Sequence, residues 1–278
     1  MNITALKLYL LPSLLVLGSS VVANEALCNK ELKVHLDLHA PSAYLNDQQR
    51  VVGMDADMAN LILTEAGCQI SWHLLPMTGA RIIRSLQDGE FDVMVRASNT
   101  AERREYAYFS QAYRQEVVGL FSHKRDGLPA SLTLEQAQAK GLRLIGPASG
   151  WYGEHFQRLR ARWQELNLYT PYPDAAKATE LFFARPSRGE LVLVDADIFF
   201  QNLGPDRYDS VVLNGPALIV TPAHLMIRKG ALDTTDLAAI NQAIETLLKE
   251  GRLQQLENRY RPLALQRMLP PSLFPVVR

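Results

Sequence analysis

The chain has 278 residues, 47% of them hydrophobic, with 29 basic against 29 acidic side chains and a formal net charge of zero. That length and apolar content suffice for two compact units with real cores, and the charge balance excludes a polyelectrolyte binder of the nucleic-acid kind. No HExxH, CxxC, Walker loop or GxSxG occurs, so neither a metal, a cofactor nor a catalytic nucleophile is expected.

Residues 1–23 carry Lys7, an apolar run from Leu8 to Leu17 that includes Pro12, and Val21 and Ala23 at the small-residue positions of a secretory cleavage site. The run is short for a membrane span. A signal peptide cut near Ala23 is expected, with export to the periplasm and a mature net charge of about −1; an uncleaved anchor is the alternative. Cys28 precedes the strand-like run Leu32 to Leu38, and Cys68 precedes a second one, Ile70 to Leu75, with a helical segment from Asp57 to Ala66 between them. In a β-α-β unit the starting ends of the two parallel strands are neighbours, so a Cys28–Cys68 disulfide is expected in an oxidising compartment. Two unpaired thiols are the alternative. Leu27 is not the small residue that lipid attachment at Cys28 needs.

The polar turn from Ala40 to Asn46 holds Pro41 and Tyr44. Ligands of open parallel sheets bind outside the carboxyl ends of strands, which puts this turn at a cleft. Tyr44 either stacks on a ligand through its ring face or folds onto its own unit. Gly53-Met54-Asp55-Ala56-Asp57 opens a helix whose Met58, Leu61, Ile62 and Ala66 share an apolar face, with Asp55 or Asp57 read as its cap. After Pro76 comes a helix from Ala80 to Gln87, with Arg81 at its start near the cleft edge. Gly89 ends it, and Phe91 to Val95 reads as a strand.

Arg96 then leads into a polar corner, Ser98, Asn99 and Thr100, followed by Arg103 and Arg104. Thr100 is a good N-cap for a helix beginning there. A helix N-terminus already carries partial positive charge, so two arginines in its first turn ask for an anion. The alternative is that both are solvated and paired with Glu102 and Glu105.

Gln115 to His123 is an extended run leaving the first unit. A helix from Ser131 to Ala139, a strand from Leu142 to Ile145, the turn Gly146 to Gly150 and a helix starting near Trp151 follow. Tyr169 to Tyr172, a helix from Asp174 to Ala184 and the strand Leu191 to Val194 complete a second α/β pattern. Asp195 and Asp197 stand at the carboxyl end of that strand, where Asp195 faces the cleft or serves the turn. Ala217 to Val220 and His224 to Ile227 read as the return crossing, and Asp236 to Lys249 and Arg252 to Tyr260 as helices parted at Gly251. Residues 262–278, with Pro270 and Pro271, read as an irregular tail. His35 and His39 are four apart on a strand, a spacing that makes no helical metal pair.

The order Gly53, Asp55, Asp57, then Leu86, Gly89, Asp92, then Ser98, Thr100, Glu102, Arg103, then Phe109, Ser110, Tyr113 resembles family 3 of the periplasmic solute-binding proteins. These are receptors that feed polar amino acids to ABC importers. The resemblance is dense from Gly53 to Tyr113 and looser over the rest of the mature chain. It implies a periplasmic-binding-protein-like α/β fold, two α/β lobes joined by a two-strand hinge. Lobe I would take residues 24–118 and 221–261, and lobe II residues 119–220, in a monomer.

The resemblance also implies a site. Arg103, with Ser98 and Thr100, would hold a ligand carboxylate, Tyr44 would lie against the ligand, and Asp195 would take a cationic group. Arg96 stands where relatives often carry a small or polar residue; it would make the pocket more cationic and suit a more negative ligand, or point to solvent. Trp151 replaces the Thr of the family's Gly-x-x-x-Gly-Thr turn, exchanging a hydroxyl for a ring, and with Tyr152 either meets the ligand or packs its lobe. Val192 falls at the family's Gly-x-x-Asp place, which departs from the pattern for an α-amino ligand.

The implied function is capture of a small polar, carboxylate-bearing solute for an ABC-transporter permease, without catalysis. The alternatives are an enzyme of the same fold resembling cyclohexadienyl dehydratase, with Glu154, Asp195 or Asp197 as the working carboxyl, and a ligand receptor for a sensor kinase.

Overall fold

Strand β1 (Glu31–His35) begins the described structure, a computed structural model covering residues 31–77, 79–150, 152–215 and 219–269. The signal-peptide segment, Cys28 and with it the expected disulfide, Trp151, Ala217 and the last nine residues lie outside these ranges. Leu32 and Val34 of β1 are buried while Glu31 and Lys33 are exposed, the period-two alternation of a strand on a core. A short hairpin, β2 (Tyr44–Leu45) and β3 (Val51–Val52), leads to helix α1 (Met54–Glu65) and strand β4 (Gln69–His73). Gly53 precedes α1 at φ 135°, and a Cβ there would sit 2.5 Å from the Ser42 carbonyl oxygen, so only glycine lets the 41–43 loop lie on the helix entrance.

Helix α2 (Gly79–Asp88), strand β5 (Val93–Ala97), strand β6 (Ala107–Phe109) and the long strand β7 (Arg114–His123) follow. Next come α3 (Leu134–Ala139), β8 (Leu144–Pro147), α4 (Glu154–Glu165), β9 (Tyr169–Tyr172), α5 (Ala175–Phe183), β10 (Leu191–Asp195), α6 (Ala196–Leu203) and β11 (Val211–Leu213). The second long strand, β12 (Ile219–Arg228), precedes α7 (Thr234–Lys249), α8 (Arg252–Tyr260) and α9 (Leu263–Met268). Local chemistry starts several helices. Thr133 and Gln136 form a capping box on α3, Asp174 accepts from the Lys177 N–H on α5, and Asp233 caps α7.

The strands run in the order β4-β1-β5-β12-β7-β10-β8-β9, with β11 on β7 and β6 on β12. β1 pairs with β4 and β5 in parallel at one end, and β8 pairs with β9 and β10 in parallel at the other. β7 and β12, antiparallel over Arg114–Val118 and Ile219–Ala223, join the two halves. Each half is covered on both faces. Along β10, Leu191 and Leu193 enter one core while Val192 and Val194 enter the opposite one, so the apolar run is continuous rather than alternating. The other half is built the same way on β1, β5 and β12, with α1, α7 and α8 on one side and α2 on the other.

Three expectations change. The return crossing is a single strand, β12, rather than two runs. The second lobe's helix begins at Glu154, after Gly153, rather than near Trp151. The tail is not irregular from Pro262: α9 packs against the second half with Leu265 fully buried and Leu269 nearly so, while α8 packs on the first half through Leu253 and Leu256. The chain therefore passes between the halves a third time at Arg261.

Candidate functional site

The corner after β5 is not the helix that Thr100 promised but a single 3-10 turn, Arg103–Glu105. Thr100 still receives the Arg103 N–H on its hydroxyl at 3.3 Å, and its carbonyl accepts from the Arg104 N–H at 3.1 Å. Lys229, at the end of β12, donates to the carbonyls of Arg104 and Glu105 at 2.7 and 3.0 Å, which ties the turn to the sheet. Arg103 is half-buried and donates one Nη1 bond to the Ser98 carbonyl at 3.1 Å. Among the described residues it forms no ion pair, whereas Arg96, Arg114, Arg228 and Arg261 are all paired with carboxylates. Ser98 and Thr100 are exposed beside it. Arg104, Glu102 and Glu105 are exposed as well, and no pairing joins them to Arg103.

Two residues earlier the picture reverses. Between His224 and Met226 the β12 register shifts by one extra β5 residue, a bulge at Val95–Arg96, and Arg96 sits at φ 60°. That conformation is uncommon for a side chain larger than Asn. It turns Arg96 towards the crossing strands, where Nε meets Glu116 of β7 at 2.5 Å and Nη2 meets Asp195 at 3.3 Å, with Asp55 3.8 Å away. Burial works against its charge, but Glu116, Asp55 and Asp195 together outweigh burial and raise its pKa. Arg96 thus does not add an uncommitted positive charge to the cleft, nor does it point to solvent; its charge is met by acids of the chain itself.

Behind it lies a second ion pair. Asp55, read from the sequence as a cap, is fully buried and makes no cap bond to α1. Its carboxylate accepts from Arg114 Nε and Nη2 at 2.7 and 2.9 Å, from the Tyr113 hydroxyl at 2.9 Å and from Ser42 Oγ at 2.6 Å. Burial alone would raise this carboxyl, but the charges of Arg114 and Arg96 and the bonds from Arg114 and Ser42 hold its pKa down at about 2. Asp57 instead accepts from the Tyr260 hydroxyl at 2.5 Å. Arg114 and Glu116 were not foreseen. Their one sequence signal is that Arg114 and Glu116 stand at the start of a strand that continues into the apolar run Val117 to Phe121, where charges carried into a core call for partners.

From the second half, Asp195 closes the cluster. It caps α6, accepting from the Ile198 N–H at 3.0 Å on Oδ1, which is the turn role, while Oδ2 meets Arg96. Burial pushes its carboxyl up to about 6, with Asp197 and Glu116 adding to the rise and Arg96 opposing it. Tyr152 is half-buried, meets Phe156 edge-on at 5.9 Å, and has its hydroxyl pKa raised by burial and then by the charges of Asp195 and Glu116. Tyr44 is exposed on the β2–β3 hairpin rather than folded onto a core. Glu154 is exposed and paired with Arg158, and Asp197 is buried in a two-bond contact with Arg261 at 2.6 and 2.9 Å. Among the described residues no group of three or more His, Cys, Asp or Glu is placed to hold a metal ion, and no helix is long and apolar enough to cross a membrane.

Residues 32–262 match the family model of bacterial extracellular solute-binding proteins, family 3. The chain belongs to that family. Among individual members, it is 26% identical over 255 residues to the L-cystine-binding protein TcyJ of Escherichia coli (strain K12), covering 88% of this chain and 91% of TcyJ. Its fold is that of solved amino-acid-binding proteins. An ancestral arginine-binding protein bound to arginine superposes with a TM-score of 0.59 at 21% identity, over 84% of this chain and 98% of that one. The ancestral amino-acid-binding protein AncCDT-1, a precursor of cyclohexadienyl dehydratase, gives 0.59 at 21% identity, over 83% and 94% of the two chains. The two-lobed α/β architecture joined by crossing strands is thus the periplasmic-binding-protein-like fold of those structures.

Proposed function

We propose that this family 3 protein is a periplasmic receptor that captures a small polar carboxylate-bearing solute, an amino acid or a similar acid, between its lobes and presents the closed form to an ABC-transporter permease. One observation carries the reading: Arg103, half-buried on an anchored turn beside exposed Ser98 and Thr100, has no acid of the described chain paired with it. A guanidinium in that state offers a carboxylate two parallel charge-assisted bonds, and the neighbouring Ser98 and Thr100 hydroxyls serve the remaining lone pairs. Tyr44 and Tyr152, with Trp151, supply rings for the rest of the solute. Closure of the lobes removes water from the pair and shifts the population towards the closed form by the ligand's preference for it. The cystine, arginine and glutamine named for relatives all carry such a carboxylate.

A catalytic reading has one observation behind it, the Asp195 carboxyl raised to about 6, which can exchange a proton near neutrality. Calorimetry decides between the two. Saturable binding of carboxylate solutes that falls at least ~100-fold in Arg103→Ala, the loss of a charge-assisted two-bond contact, is the expected outcome. Unchanged affinity in that variant, or steady dehydration of prephenate or arogenate, would displace the receptor reading.

A further inference from the structure

Arg96 places a guanidinium where the two halves of the molecule meet. Asp55, Glu116 and Asp195 supply the acids there, and Arg96 and Arg114 the bases. Arg114 is taken up by the two-bond contact with Asp55, and only its Nη2, 3.8 Å away, approaches Glu116. What remains is one guanidinium held by two carboxylates, Glu116 at 2.5 Å from the crossing strand and Asp195 at 3.3 Å from the far lobe. Without Arg96 the same two carboxylates, side chains only 18% exposed, would face each other with only Arg114 Nη2, 3.8 Å from Glu116, near them, which makes them a receptor for an ammonium or guanidinium.

The placement is built in rather than casual. A bulge and a φ of 60° steer this side chain off the strand's alternation, and backbone strain of that kind persists only where the surroundings over-determine it. The corner that carries Ser98, Thr100 and Arg103 begins two residues further on, so the internal cation and the carboxylate grip belong to one wall.

We infer that Arg96 is a built-in cation that stands where a ligand's own would sit, so that the solute held by Arg103 is a carboxylate lacking an amine or guanidine at that end. The inference rests on the carboxylate reading of the Arg103 turn. An incoming ammonium would have to displace a guanidinium already held by two acids or lie beside it and be repelled. An uncharged or hydroxylated chain meets neither obstacle.

Matched pairs that differ only by an ammonium test this: glutarate against glutamate, and hexanoate against 6-aminohexanoate, titrated calorimetrically into the full-length mature protein. Wild type is expected to bind the amine-free member of whichever pair fits at least ~10-fold more tightly. Arg96→Gly, a residue at ease at φ 60°, is expected to abolish or invert that ratio by freeing Glu116 and Asp195. Asp195→Asn, which keeps an acceptor for the α6 cap, is expected to retain the wild-type preference because Arg96 stays.

Equal or tighter binding of the ammonium-bearing member by wild type overturns the inference, and so does an unchanged ratio in a folded Arg96→Gly. Should that variant not fold by circular dichroism, the wild-type ratio decides alone. Binding of neither pair by wild type, or binding that survives Arg103→Ala, overturns the carboxylate reading and this inference together, whereas a wrong ratio with Arg103 still required overturns this inference only.

Discussion

Glu257 on α8 is nearly fully buried, and its neutralisation by Glu257→Gln should stabilise the protein in mildly alkaline solution and do nothing in acid. Its Oε1 lies 2.9 Å from Arg261 Nη1 in an ion pair, but Arg261 is already matched by the two-bond contact with Asp197, so an ionised Glu257 is the surplus negative charge of a buried trio. Burial pushes its carboxyl from an ordinary 4.5 up to about 7; Arg261 and Arg114 oppose the rise, and Asp197 and Asp55 add to it. The folded state therefore holds this proton more tightly than the unfolded chain, and the associated stability is complete below about 4.5 and lost as pH climbs through about 7. At about 1.36 kcal/mol per pH unit, the full loss is about 3 kcal/mol.

Glutamine keeps a polar oxygen beside Arg261 and discards the titration. Urea melts at pH 5 should place the variant within ~1 kcal/mol of wild type, and melts at pH 8.5 should place it above wild type by about 3 kcal/mol. A variant less stable than wild type at pH 8.5, or a gain of equal size at both pH values, would refute the surplus-charge argument.

Two further predictions concern the same interior. Asp55→Asn removes the carboxylate that holds the buried Arg114 in a two-bond contact and should cost about 3 to 5 kcal/mol in a urea melt, far more than the surface change Glu154→Gln, because a desolvated guanidinium loses its bonded partner and keeps only Glu116 at 3.8 Å. Leu265→Ala tests whether α9 is part of the second core: its side chain is fully buried, so a loss of about 2 to 5 kcal/mol is expected, and an effect under ~0.5 kcal/mol would mean that α9 contributes little to that core.

The elements that the sequence shows well are those whose signal is local. Leu191 to Val194 reads as a strand because four consecutive apolar β-formers fit only a strand covered on both faces, and β10 lies there. Thr100 reads as a cap because its hydroxyl needs only the N–H three residues on, and it makes that bond even though no α-helix follows. Misreadings cluster where the partner is remote. Asp55 after Gly53 has every local mark of a helix cap, yet its partner Arg114 comes 59 residues later. Arg96 reads locally as a cation for the ligand or for solvent, whereas its acids lie 20 and 99 residues along the chain. The tail was read as loose from its prolines, although Leu265 and Leu269 stand at the i, i+4 spacing of a buried helical face, and that signal was there to be used.

Residue order by itself determined the α/β alternation and the small set of polar side chains at the corner after β5, because apolar periodicity and turn chemistry act over a few residues, while the two-lobed layout followed from the resemblance to family 3. Only the folded molecule decided which arginine is committed and which is not. Charge pairing depends on separation in space and on how much water is excluded, and neither is written in the spacing of Arg96 and Arg103 along the chain.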